Sequence, residues 1–73
     1  MPFETIYVPL LEEGTDVWRP VVAEKLIDET FRILGEMPED ERWEYRPGQR
    51  VFVKQHVFSG PVSGLVAYRL AEE

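Results

Sequence analysis

Seventy-three residues, 44% hydrophobic and 30% charged, describe one small globular domain near the lower limit for a core of its own. Cysteine is absent and histidine occurs once, which rules out disulfides and thiolate metal sites and leaves zinc chemistry poorly supplied. No apolar run nears the ~20 residues that span a bilayer, and the net charge of −6 opposes nonspecific attraction to phosphate backbones or anionic lipid.

The first apolar segment, Thr5-Ile6-Tyr7-Val8-Pro9-Leu10-Leu11, carries no basic residue ahead of it, so a cleavable signal is not expected and a cytoplasmic protein follows. Its β-branched and aromatic content predicts a strand with Ile6, Val8 and Leu10 on one face. Pro9 cannot donate to a ladder, which calls for an edge or a bulge there. Glu12 to Asp16 supply turn chemistry, and Val17–Ala23 predicts a second strand with Pro20 inside it.

Two readings fit residues 21–34. Val22, Ala23, Leu26, Ile27, Phe31, Ile33 and Leu34 fall on one half of a helical wheel, with Pro20 and Gly35 as start and stop signals. The other reading is a hairpin turning at Asp28-Glu29, with Thr30–Leu34 as the returning strand. Local periodicity does not choose between them.

Pro38 followed by Glu39, Asp40 and Glu41 predicts one helical turn or a tight loop. Trp43-Glu44-Tyr45 reads as a short strand and Arg46-Pro47-Gly48-Gln49 as a turn. Arg50–Phe58 is the clearest strand, with Val51, Val53 and Val57 on one face and Arg50, Phe52, Lys54, His56 and Phe58 on the other. Ser59-Gly60-Pro61 turns the chain into a last strand, Gly64–Leu70.

Charge is uneven along this order. Residues 1–41 hold eleven acids against Arg19, Lys25 and Arg32, a balance of −8; residues 42–71 hold Arg42, Arg46, Arg50, Lys54 and Arg69 against Glu44, a balance of +4. Either the basic strands lie beside acidic ones and pair across the sheet, or they form a binding stripe.

The stretches GTDVWRPV (14–21), FRILGEMPEDERWEYRPGQRV (31–51) and FSGPVSGLVAY (58–68) resemble a family of small uncharacterised bacterial proteins. In that family a Gly-x-Asp-Val-Trp-Arg-Pro segment precedes a hairpin, then Pro-Glu-Asp-Glu-x-Trp, Pro-Gly, Phe-Ser-x-Gly and Gly-Leu-Val-Ala follow in order. The resemblance covers nearly the whole chain. It implies an SH3-like barrel and favours the hairpin at 28–29, although the glycine its members place there is absent here. It implies no activity, cofactor or partner.

These readings converge on an all-β, five-stranded antiparallel barrel with a helical turn near Pro38–Glu41; an α+β fold with a helix at 21–34 is the alternative. The expected function is a non-catalytic protein-interaction or self-association module, with a protein partner or a homodimer, no membrane and no cofactor. Trp18, Arg19, Trp43 and Tyr45 are its candidate anchors, since Trp, Tyr and Arg dominate interface energetics. Against that, Trp18 could fill the core under the stem of Arg19, and Trp43 could cap one barrel end.

Phe52 and His56, alternating with Arg50, Lys54 and Phe58, offer a second surface. Cations interleaved with rings suit single-stranded nucleic acid, which the acidic net charge disfavours. A third possibility is an acidic inhibitor that blocks a basic surface with Glu39, Asp40 and Glu41. No catalytic or metal-binding residue is expected: no nucleophile motif is present, no partner for His56 is identifiable, and adjacent acids point apart.

Overall fold

The computed structural model describes residues 3–11 and 17–71; the expected turn at Glu12–Asp16 lies outside them. Five strands are present: β1 (Phe3–Pro9), β2 (Trp18–Lys25), β3 (Thr30–Ile33), β4 (Arg50–Ser59) and β5 (Val62–Leu70). They follow one another around a closed barrel, antiparallel except where β1 meets β5 in parallel at Tyr7 and Val66. This is an all-β barrel of five strands, compatible with the SH3-like fold that the resemblance implies.

Residues 21–34 form the hairpin. Asp28 and Glu29 both take positive φ, 58° and 62°, and the Thr30 N–H closes the turn on the Ile27 carbonyl at 3.1 Å. Two consecutive left-handed residues make a type I′ turn, whose twist matches that of paired strands. The helix would bury only one stripe, whereas the hairpin bonds Ala23–Lys25 to Phe31–Ile33 and β3 in turn to β4.

Both strand prolines sit where no ladder bond is lost. The Leu10 N–H bonds to the Val17 carbonyl, and pairs alternate from there, so Pro9–Trp18 and Pro20–Tyr7 are non-hydrogen-bonded pairs of the β1–β2 ladder. The Pro20 nitrogen faces the side where β3 has already ended.

Alternation fills the interior. Ile6 and Val8 of β1, Val21 and Ala23 of β2, Phe31 and Ile33 of β3, and Val51 and Val53 of β4 point inward and are buried. Val57 shares their face of β4 yet is 62% exposed, because the β4–β5 hairpin runs on beyond the end of β3.

The β3–β4 connection decides one expectation and corrects another. Pro38–Glu41 is a single turn closed by the Glu41 N–H on the Pro38 carbonyl at 3.2 Å, and no helix occurs among the described residues. The predicted strand Trp43–Tyr45 is reduced to one bridge between Trp43 and Leu10. Bonds from the Leu11 N–H to the Arg42 carbonyl and from the Glu44 N–H to the Pro9 carbonyl lace this segment to the end of β1. Arg46–Gln49 is the expected turn, with Gly48 at φ 91°.

Candidate functional site

The candidate residues separate into two regions. At one barrel end the lacing to β1 drives Trp43 and Tyr45 into the core, where they are 4% and 7% exposed. The Trp43 indole N–H donates to Glu41 Oε1 at 2.9 Å. Arg19 meets the same carboxylate with two donors, Nε to Oε1 at 3.0 Å and Nη2 to Oε2. This fork holds the Glu41 carboxyl below its ordinary range, with the Trp43 bond acting in the same direction, and it raises Arg19. Burial raises the Tyr45 hydroxyl, with Glu44 adding to the effect.

Arg19, Glu41 and Trp43 therefore form a clip that fastens the β3–β4 connection to β2. Two of these side chains are committed to each other and the rings show almost no face. Beside the clip runs an open groove of ≈ 380 Å³ with Pro20, Val22 and Pro38 on its walls and Glu36 and Asp40 near its rim. Of the three acids assigned to an inhibitory surface, Glu41 is occupied by Arg19, which leaves Glu39 and Asp40 exposed to solvent.

The second region lies on the outside of the barrel. Alternation along β4 turns Phe52, Lys54, His56 and Phe58 outward, and Tyr7 of β1 and Trp18 of β2 face the same way. Phe58 is the hub: its ring lies 4.9 Å from Tyr7, 5.0 Å from His56 and 5.9 Å from Trp18, centroid to centroid. Trp18 and His56 are 5.3 Å apart. These contacts are edge-on or tilted, the geometry that aromatic quadrupoles favour.

Gly64 makes the gathering possible. A Cβ there would stand 2.8 Å from Tyr7 Cε1, inside any tolerable contact, so the absent side chain lets Tyr7 cross β5 to reach Phe58. Val66, outward-facing and separate from the interior cluster, is 1% exposed and forms the floor of this outer layer.

A β-bulge extends the face. Phe52 pairs with Arg69 and Val53 with Ala67, which leaves Tyr68 as the extra residue and puts Tyr68 and Arg69 both outside. The Arg69 guanidinium lies 4.7 Å from the Phe52 centroid and 6.0 Å from that of Tyr68; Lys54 Nζ lies 5.3 Å from Tyr68. Residues 45–71 contain no carboxylate, so these two cations rest on rings. A cross-strand charge pair joins Arg32 of β3 and Glu24 of β2 at 3.5 Å.

Of the six candidate residues, Trp18, His56 and Phe52 belong to this outer face, while Arg19, Trp43 and Tyr45 belong to the clip and the core. Sequence reasoning did not bring in Tyr7, Tyr68 or Arg69. A glycine inside the β5 pattern is the signal that points to Tyr7, since it marks a close approach. No comparable signal announces the bulge at Tyr68.

A hollow of ≈ 310 Å³ opens at the other barrel end, floored by Phe31, Val53 and Leu65 and rimmed by Glu4, Lys25 and Lys54. Among the described residues no three histidines or acids gather as metal ligands, and no helix is long and apolar enough to cross a membrane. No family model, no curated protein and no solved structure matches the chain.

Proposed function

We propose that this barrel is a non-catalytic protein-interaction module of the cytoplasm that docks its partner on the outer face built from Tyr7, Trp18, His56 and Phe58. One observation carries the reading. The interior is already filled by a separate set of side chains, yet four more rings from three strands are assembled outside it, with Gly64 kept bare beneath them. Half-buried aromatics around a dry floor are what interface anchors are made of. Lys54 and Arg69 at the border select a partner that brings an apolar side chain for the rings and a carboxylate beside it.

Affinity capture from the native cell tests this with three forms of the protein. The unaltered chain and a Glu39→Gln control are expected to retain a shared partner, and Trp18→Ala to lose it. Retention by Trp18→Ala at unchanged yield overturns the reading.

Single-stranded nucleic acid is the second reading, favoured by the two cations lying on Phe52 and Tyr68. Against it, the rings of the main cluster meet one another edge-on and Arg69 already covers Phe52, whereas base stacking needs open flat faces. Titration with single-stranded RNA and DNA at low salt decides: affinity that falls steeply with added salt supports it, and no binding removes it.

A further inference from the structure

β4 is longer than the strand that covers it. β3 pairs with β4 at Arg50, Val51 and Phe52 and goes no further, while β5 follows β4 up to Ser59. Among the described residues nothing pairs with the outer edge of β4 beyond Phe52.

The direction of the main-chain groups follows from the ladders. The Ile33 N–H bonds to the Gln49 carbonyl, so Val51, two residues on, also turns its N–H and carbonyl toward β3. The Arg50 carbonyl accepts from Ala71 on the β5 side, which assigns the even residues to β5. Val53, Gln55 and Val57 therefore aim their N–H and carbonyl groups at the uncovered edge.

Among the described residues no proline and no covering loop guards that edge, and its protection is one charge, Lys54, and an irregularity at Val57–Ser59. Exposed edges are ordinarily guarded by proline, charge or a covering loop. The same hairpin carries Val57 and Val62, 62% and 57% exposed. An open ladder and uncovered apolar side chains coincide on one element.

We infer that this edge is the interface between two copies of the chain, joined by antiparallel pairing of β4 with β4 about a two-fold axis at His56. The choice of occupant rests on self-complementarity. With His56 opposite His56 of the second copy, Gln55 bonds across to Val57 and Lys54 stands opposite Phe58 of that copy. Lys54 then faces a ring, the arrangement the barrel already uses for Lys54 on Tyr68 and Arg69 on Phe52. Centring one residue earlier would set Val57 opposite Val53 on the inner face but would place Lys54 opposite His56 on the outer one, losing the pair of Lys54 with Phe58. Apart from Lys54, His56 and Phe58, which meet across the axis, the pairing consumes main-chain groups, so Tyr7 and Trp18 of both copies stay available.

This inference does not rest on the ring face as a docking site, and the variants separate the two. Sedimentation from micromolar to millimolar concentration is expected to show the mass doubling from 8.6 kDa. Gln55→Pro removes an N–H aimed at the open edge, so it leaves the internal ladders intact and is expected to weaken dimerisation at least tenfold. Trp18→Ala is expected to dimerise normally.

Register is read in a chain with no cysteine of its own. His56→Cys places two thiols on the axis in a non-hydrogen-bonded pair, where Cα atoms lie about 4.5 Å apart, and mild oxidation is expected to cross-link it quantitatively. Lys54→Cys is expected to stay uncross-linked. A monomer at every concentration overturns the inference, as does a dimer that survives Gln55→Pro or is lost in Trp18→Ala. Cross-linking through Lys54→Cys and not His56→Cys overturns the register.

Discussion

The two tryptophans occupy regions with opposite logic. Trp43 is reached from a connection with almost no regular structure, and it is buried with its N–H satisfied by Glu41. Trp18 opens a regular strand and stays half-exposed among His56, Phe58 and, across the cluster, Tyr7. Here an irregular segment supplies a core tryptophan and a regular strand supplies a surface one. Burial follows which side of a closing wall a residue faces, and a tryptophan on the outside is left over after the inside is full.

That contrast fixes the order of mutational effects. Trp43→Ala empties a core site and releases Glu41 from one of its three donors; it is expected to cost about 3–5 kcal/mol in chemical denaturation. Loss of under about 1 kcal/mol would mean that the barrel end closes without it. Gly64→Val comes next. It drives side-chain atoms into the Tyr7 ring, and the displacement is expected to cost about 1–3 kcal/mol and to erase the near-UV dichroism of the outer cluster. Unchanged dichroism would show that Tyr7 does not lie over β5.

Trp18→Ala is expected to cost only about 1 kcal/mol, because the ring is half-exposed and the core beneath β2 is filled by Val21 and Ala23. A loss as large as that of Trp43→Ala would make the outer cluster a second core and remove the argument for a docking face. The smallest effect belongs to the clip and is a matter of pH. Arg19 lowers the folded Glu41 carboxyl below its ordinary value of 4.5. The contribution is therefore present above that value and is lost as pH falls through the depressed folded one. Glu41→Gln is expected to flatten the acid limb of the stability profile, and an unchanged limb would mean the Arg19 fork is not formed in solution.

Much of the fold was legible because strand side chains alternate and turns have fixed chemistry. Ile6 with Val8, Val51 with Val53, and the turns at Pro47-Gly48 and Gly60-Pro61 could be placed from local pattern alone. The outer site was legible in part: the alternation that sends His56 and Phe58 outward is a property of one strand. Tyr7 and Trp18 joining them is not, since three strands and a missing side chain at Gly64 must first come together.

By itself the sequence determined that the segments of β1, β4 and β5 are extended, which face of β4 carries the cations, and that the second half of the chain is basic. These depend on neighbours within a few residues. The tertiary structure decided between turn and helix at 28–29, and it alone decided that Trp43 lies inside while Trp18 lies outside and that β4 outruns β3. Each of these depends on which strand stands next to which, and pairing partners far apart along the chain leave no trace in local periodicity.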